Sequence, residues 1–243
     1  MKAVILAAGV GSRLRPITDH TPKGLVRVAG RPILDYALEA FYKAGIGEVL
    51  VVTGHLHGQI EAHLQGASIP CRTIYNPRFD TANNYYSLLL CEEAVGREAF
   101  VKVDSDLVFL PSVLVRLLSA QADLSVACDA GVALGEEEMK LQVDEGSGLV
   151  TGVSKKLLPA ACVGESIGME VVSAGFSKAL FDELRAMDAE GFTDGYYEDA
   201  YHRIAQRGGA DIRAVDVTGL PWSEIDDASD LERASALFAD NHK

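Results

Sequence analysis

The sequence predicts an α/β protein: a mostly parallel, mixed central sheet covered by helices on both faces, three layers in an α/β/α order. Three observations predict it. Val4 to Ala8 is an apolar run that breaks straight into Gly9-Val10-Gly11-Ser12-Arg13, as a buried strand does when it feeds a tight turn. Over the first half, β-type runs alternate with helical patterns, which implies right-handed crossovers between parallel strands. Beyond residue 120 the texture changes to short strands joined by turns, a mixed-sheet region over one edge.

Each element is justified in chain order. Val4 to Ala8 is the first strand. A helix over 33–44 carries Leu34, Leu38 and Phe41 on one face, with Gly45 placed to end it. Glu48–Thr53 (EVLVVT) is a second buried strand, and His57–Leu64 starts another helix. Cys71–Tyr75 is a short strand, 82–95 a helix, and 99–109 a strand leading into Pro111 and a further helix. Strands follow at 124–127, 140–144 and 149–153, the last two joined around Gly146-Ser147-Gly148. Helices at 177–187 and Tyr197–Arg207, a strand at 212–217 and a helix from Ser229 complete the chain. No linker, repeat or low-complexity tract divides it, so one continuous domain over 1–243 is expected.

Composition narrows the function classes. The chain has 243 residues, 48% of them hydrophobic, an ordinary globular balance. Its 35 acidic against 22 basic residues give a formal net charge of -13, which argues against nucleic acid or an anionic membrane as partner. Cys71, Cys91, Cys128 and Cys162 stand far apart with no C-x-x-C pair, so neither a disulfide framework nor a zinc site is expected. No segment approaches the ~20 apolar residues that cross a bilayer. A soluble, cytoplasmic protein without membrane insertion is expected, and a homodimer is left open.

The opening segment carries the first chemistry. Glycines after a buried strand expose backbone N–H groups to an anion, and Arg13 and Lys23 add fixed positive charge beside them. The turn is not a dinucleotide fingerprint, because Leu14 stands where the third glycine belongs, and no Walker A loop occurs. A plain βα turn explains two glycines; it does not explain Arg13, Pro22 and Lys23 at this spacing.

Farther on, FVKVDSDLVF at 100–109 puts Lys102, Asp104 and Asp106 on one strand face, near the end where open α/β sheets bind ligands. Carboxylates there are costly unless paired or bound to a cation, and Mg²⁺ suits them. The competing reading is a turn with two capping aspartates. His55-Leu56-His57 with His63 also suggests zinc, but the barrel pattern that usually supports such a site is missing.

The stretch L-A-A-G-x-G-S-R-L-x-P-x-T, followed by Pro22-Lys23, resembles the signature of the nucleotidyltransferases that make activated sugars and alcohols. The resemblance implies a Rossmann-like nucleotidyltransferase fold, with residues 1–120 mainly nucleotide-binding, 121–225 mainly acceptor-binding and 226–243 a C-terminal helix. It implies that Leu6, Ala7, Ala8, Gly9, Gly11 and Ser12 wrap the nucleotide, with Arg13 and Lys23 as clamps. It favours Asp106 as a metal ligand, with Asp104 supporting it or binding the ribose. The second ligand comes from Trp222-Ser223-Glu224-Ile225-Asp226, which makes it Asp226; Asp227 takes its place in a shifted alignment, and Asp230 belongs to the following helix.

Asn76-Pro77 and Asn83-Asn84-Tyr85-Tyr86-Ser87-Leu88 resemble the cytidylyltransferase branch that activates phosphocholine, inositol phosphate and related phosphoalcohols. Asn76, Asn84 and Ser87 then face the base, unless the asparagines only cap a helix. The same branch implies Lys155 or Lys156 on the acceptor phosphate and Glu165 on acceptor hydroxyls or an ammonium. Tyr196, Tyr197, Glu198 and Asp199, with Trp222, form an aromatic and acidic wall suited to a choline-like cation, or else a helix start with core aromatics at Tyr197 and Tyr201. The expected reaction is Mg²⁺-dependent transfer from CTP to a small phosphorylated acceptor. A sugar-1-phosphate enzyme using UTP, GTP or dTTP and a non-catalytic nucleotide-binding domain are the alternatives.

Overall fold

The structure is a computed structural model and describes residues 1–239; the end of the expected C-terminal segment, 240–243, lies outside the described residues. In chain order the first half comprises β1 (Lys2–Ala7), the short pair β2 (Arg27–Val28) and β3 (Arg31–Pro32), α1 (Ile33–Lys43), β4 (Glu48–Thr53), α2 (His57–Leu64), β5 (Cys71–Tyr75), α3 (Asn84–Leu89), α4 (Glu92–Val95), β6 (Phe100–Asp104), β7 (Leu107–Phe109) and α5 (Pro111–Leu118). The second half adds β8 (Leu124–Asp129), β9 (Lys140–Val143), β10 (Val150–Ser154), β11 (Gly164–Val172), α6 (Ala174–Ala189), α7 (Tyr197–Arg207), β12 (Ile212–Asp216), β13 (Trp222–Glu224) and α8 (Ala228–Phe238).

Among the described residues one mixed sheet of nine strands runs β10-β9-β11-β6-β1-β4-β5, with β8 and β12 joined alongside β11. Its β6-β1-β4-β5 half is parallel. Strand β1 shows why its apolar run is unbroken. Val4 and Leu6 face a core built with Tyr85, Leu88, Phe176 and Leu180, while Ala3, Ile5 and Ala7 face another built with Leu34, Phe41, Ile60 and Val113. Both faces are covered by helices, so every position is apolar. Each fully buried valine or isoleucine contributes roughly 1.5–3 kcal/mol relative to exposure.

Where the elements depart from the sequence expectation, local chemistry accounts for it. The expected helix over 82–95 is two helices. Asn83 caps α3 through its side-chain oxygen, which accepts from Asn84 N–H at 2.8 Å, and Cys91 N–H donates to Leu88 O to tighten and end it. The expected strand over 99–109 breaks after Asp104. Ser105 and Asp106 form a turn, and β7 leaves the main sheet to pair antiparallel with β13, Glu224 opposite Leu107. Asp106 is therefore not on the strand face of Lys102 and Asp104.

Strand β11 is nine residues long and was not expected. Glycines at 164 and 168 and glutamates at 165 and 170 hide its periodicity, because Glu170 is buried as an ion-pair partner and not as an apolar residue. This strand is antiparallel to β6 and β8, so it joins the two halves of the sheet. No helix among the described residues is long and apolar enough to cross a membrane.

Candidate active site

Because β1, β4 and β6 are parallel, the loops that follow them meet at one edge of the sheet. The loop after β1 folds back on itself at Gly11, whose φ is +66°. A Cβ there would stand 3.0 Å from Thr18 Cγ2 and 3.4 Å from Lys23 Cβ, so glycine is required both for the angle and for the approach. Thr18 Oγ1 donates to Gly11 O at 2.7 Å, and His55 Nε2 lies 3.0 Å from Thr18 O. The histidines suspected of binding zinc have other work: His55 holds this loop, His57 pairs with Glu61, and His63 pairs with Asp35.

Lys23 occupies the centre of the site. Its Nζ donates to Asp106 Oδ2 at 2.7 Å and to Asp226 Oδ1 at 2.8 Å, although Lys23 and Asp226 are 203 residues apart in sequence. Arg13 Nη2 reaches Asp226 Oδ2 at 2.9 Å. The β7–β13 ladder explains the meeting, since it sets the residue before Leu107 beside the residues after Glu224, and Ile225 N–H donates to Asp106 O at 3.0 Å. Burial pushes Asp106 up, but the charge and hydrogen bond of Lys23 outweigh it and hold the carboxyl below its ordinary range. Burial likewise works against the Lys23 ammonium, and the two aspartates overcome it, raising its pKa.

Asp106, Glu224 and Asp226 place one carboxylate oxygen each within 4.8 Å of one another. Hard oxygen donors so grouped fit Mg²⁺, which is commonly held by one or two carboxylates together with substrate phosphates. Glu224 has an open surface but stands in a concave wall. That partial desolvation, then the charges of Asp106 and Asp226, push its carboxyl up to about 9. Asp227, by contrast, is the exposed N-cap of α8, accepting from Ser229 and Asp230 N–H, and Asp230 completes the capping box. The shifted alignment therefore exchanges a cavity-lining carboxylate for a helix-capping one.

Around this centre lies a cavity of about 460 Å³. Leu6, Ala8, Gly9, Gly11 and Ser12 line it along the first loop. On the proposed base side Asn76, Asn84 and Ser87 line it, with Asn76 Nδ2 donating to Ser87 Oγ at 2.9 Å and Asn84 Oδ1 accepting from Tyr197 N–H at 3.0 Å. Opposite them stand Lys155, Glu165 and Glu198, with Lys155 Nζ 3.6 Å from Glu137 Oε2. Burial, then the charges of Glu138 and Asp129, push Glu165 up to about 7. Lys156 is exposed and does not join the lining.

Three expected site residues face elsewhere. Ala7 points into the core on the other face of β1. Tyr197 is fully buried; its hydroxyl donates to Asp104 Oδ2 at 2.7 Å, and Tyr196 takes its place in the cavity wall. Trp222 is not part of the wall either, since its Nε1–H donates to Asp129 Oδ2 at 2.8 Å.

Beneath the cavity floor lies a group of which the sequence singled out Lys102, Asp104 and Glu198 but missed Glu170. Lys102 is fully buried, 2.9 Å from Asp104 Oδ2 and 3.2 Å from Glu170 Oε2, the latter an ion pair without hydrogen-bond alignment. Desolvation opposes its charge, but Asp104, Glu170 and Glu198 together keep it protonated. Gly168, at φ +78°, leaves room for this arrangement: a Cβ there would stand 2.6 Å from Asp104 Oδ2. Glu224 was missed as well; it ends β13, two residues before Asp226.

Residues 3–202 match the MobA-like NTP transferase domain. The chain is 30% identical over 248 residues to the CMP-5'-(3-aminopropyl)phosphonate synthase of Streptomyces rubellomurinus, a match covering 98% of this chain and 39% of that protein. It is 36% identical over 105 residues to the choline-phosphate cytidylyltransferase of Streptococcus pneumoniae, covering 43% of this chain and 45% of that protein. The chain thus matches less than half the length of either relative. In fold it is similar to the inositol-1-phosphate CTP transferase from T. maritima, with a TM-score of 0.80, 21% identity, and 98% and 96% of the two chains covered.

Proposed function

The chain belongs to the MobA-like NTP transferase domain family and is a nucleotidyltransferase, and from that premise we propose that it transfers the cytidylyl group of CTP to a small phosphorylated alcohol, with Mg²⁺ as cofactor. The observation that carries this reading is Lys23 held between Asp106 and Asp226 beside the glycine-rich loop. Three distant segments there converge on a place for a triphosphate and a cation. The CTP-dependent activities named for similar proteins, and the Asn76–Ser87 pair in the cavity wall, support cytidine over other bases.

In this mechanism the N–H groups of the loop 9–12 cradle the triphosphate, and Arg13 and Lys23 turn from Asp226 towards its oxygens. Asp106 and Asp226, with Glu224, would hold Mg²⁺, which would supply charge neutralisation on the phosphates. Lys155 holds the acceptor's phosphate, one oxygen of which attacks the α-phosphorus in line while the bond to the leaving pyrophosphate breaks. The attacking oxygen is already anionic, so no covalent enzyme intermediate or strong general base is needed. The chain's contribution is positioning and charge stabilisation. On this reading residues 1–120 mainly bind the nucleotide and 121–225 mainly the acceptor.

Pyrophosphate release over a grid of CTP, UTP, GTP and dTTP against phosphoalcohols and sugar 1-phosphates tests it, with and without EDTA. The expected outcome is release from CTP with a phosphoalcohol, abolished by EDTA. Release confined to UTP, GTP or dTTP with a sugar 1-phosphate, or nucleotide binding without release, would overturn it.

A further inference from the structure

The polar side chains at the nucleotide end of the cavity have a hydrogen-bonding direction that their partners fix. Asn76 is 1% exposed, and its Oδ1 accepts from Arg78 N–H at 2.8 Å. A main-chain N–H only donates, so the atom facing it is the amide oxygen and the other is Nδ2. That Nδ2 donates to Ser87 Oγ at 2.9 Å. Ser87 thus spends a lone pair on Asn76, and its own O–H has no acceptor among the described residues. Asn84 stands three residues earlier on α3, on the same helix face. Its Oδ1 accepts from the main-chain N–H of Tyr197 at 3.0 Å, and its Nδ2 has no acceptor among the described residues. Both residues line the cavity, Asn84 with the larger open surface. Asn83 lines it too, but its oxygen is taken by Asn84 N–H and its Nδ2 donates to Asp194 O at 3.3 Å.

Every amide oxygen here already has a donor, and the hydrogens left over belong to Ser87 and Asn84. Leu6, Phe79 and Ala82, which pack in one apolar cluster, line the cavity with them and suit the faces of a flat ring. Cytosine and uracil share that ring and its size. They differ in hydrogen-bonding direction: cytosine has two neighbouring acceptors, N3 and the 2-keto oxygen, whereas uracil has an N3–H donor between two keto oxygens. Two donors on one helix face match cytosine. Against uracil they set a donor on a donor, which leaves a desolvated N–H unpaired.

We propose that this donor pair selects cytosine over uracil: Ser87 O–H and Asn84 Nδ2–H donate to N3 and the 2-keto oxygen, and Asn76 is a positioning residue that holds the Ser87 hydroxyl in its donating direction. The proposal rests on the cytidylyl-transfer reading and names the residues that choose its base. Asn76 acts through Ser87 and not by contact with the base. It is therefore the position at which the preference inverts. An aspartate there accepts from Arg78 N–H with one oxygen and from Ser87 O–H with the other, which leaves Ser87 only lone pairs to show the base.

The test measures binding of CTP, UTP and 3-deaza-CTP to the full chain by titration calorimetry, with Mg²⁺ and no acceptor. The wild type should bind CTP at least ~10-fold more tightly than UTP and than 3-deaza-CTP, which has C–H in place of N3, because a site built to hydrogen-bond one group rejects the analogue lacking it. Ser87→Ala should raise the Kd for CTP roughly tenfold and that for UTP by less. Asn76→Asp should lower the ratio of the UTP Kd to the CTP Kd by at least ~10-fold. Mere loosening of the fold weakens both nucleotides alike and leaves that ratio unmoved. Equal binding of CTP and 3-deaza-CTP, equal binding of CTP and UTP, or an unchanged ratio in a folded Asn76→Asp protein overturns the proposal and leaves cytidylyl transfer standing. Tighter binding of UTP than of CTP by the wild type, or no binding of either, removes the cytidylyl reading and this proposal with it. The nucleotide series needs no variant, so an Asn76→Asp protein that fails to fold does not blunt the test.

Discussion

Lys23 shows how much one side chain depends on distant partners. Its side chain is 13% exposed and its ammonium is balanced by Asp106 and Asp226, each brought to it by the β7–β13 ladder. The sequence and the family resemblance it carries singled out Lys23, Asp106 and Asp226 as candidates, but not that they touch. It also left Asp226 and Asp227 interchangeable, because neighbours in a loop share composition and differ only in direction. The structure separates them: Asp226 faces Lys23 and Arg13, while Asp227 caps α8. Asp226→Asn should therefore lower pyrophosphate release by ~10²–10³-fold, as expected for removing a charged group that acts in the transition state. Asp227→Ala should keep release within a few-fold and lower the melting temperature through loss of the cap. Equal losses of activity in the two variants would place the function in the wrong residue.

At the scale of elements, the site depends on how closely β1 and β4 bring their following loops. Gly54 follows β4, and a Cβ there would stand 2.6 Å from Ala8 O and 2.5 Å from Phe79 Cβ. Ala8 and Phe79 both line the cavity, so the glycine sets the width of its nucleotide end. Gly54→Ala must push one of them aside. The expected cost is about 1–3 kcal/mol of stability, as for overpacking elsewhere, with a raised KM for the nucleotide and a smaller change in KM for the acceptor. Equilibrium unfolding and steady-state kinetics check both effects. Elements with one clear period were legible to the residue, as at Glu48–Thr53, Cys71–Tyr75 and Tyr197–Arg207. Strand β11 was not, because its buried Glu170 reads as a surface residue until Lys102 is seen beside it. Nor were β2, β3 and β13, which are too short to show a period.

For the molecule as a whole, the buried carboxyls predict an uncommon response to pH. Burial in the first place, with neighbouring carboxylates, pushes Glu170 up to about 7, Glu165 to about 7 and Glu198 to about 8. In the unfolded chain glutamates titrate near ~4.3. Between these values the folded protein keeps protons that the unfolded chain has lost, so stability falls as pH rises through the window. Asp106 acts in the other direction and lower down: its pKa is depressed, so its contribution is present above the ordinary carboxylate range and is lost as pH falls. The melting temperature should therefore decline from about pH 5 to about pH 8, and Glu170→Gln should flatten the decline. A wild-type melting temperature that rises over this range would contradict the description of the cluster.

The sequence by itself determined the α/β alternation, the glycine-rich loop, and most of the side chains that line the cavity. Apolar periodicity and glycine placement are local, and the first loop and Lys23 lie in one short stretch. Only the tertiary structure decided which carboxylates meet Lys23, that Tyr197 supports Asp104 from the core, and that Glu198, though buried, lines the cavity. These are facts about strand register and burial. A buried charge looks the same in sequence as an exposed one, and only its surroundings tell whether its partner is another residue or a substrate.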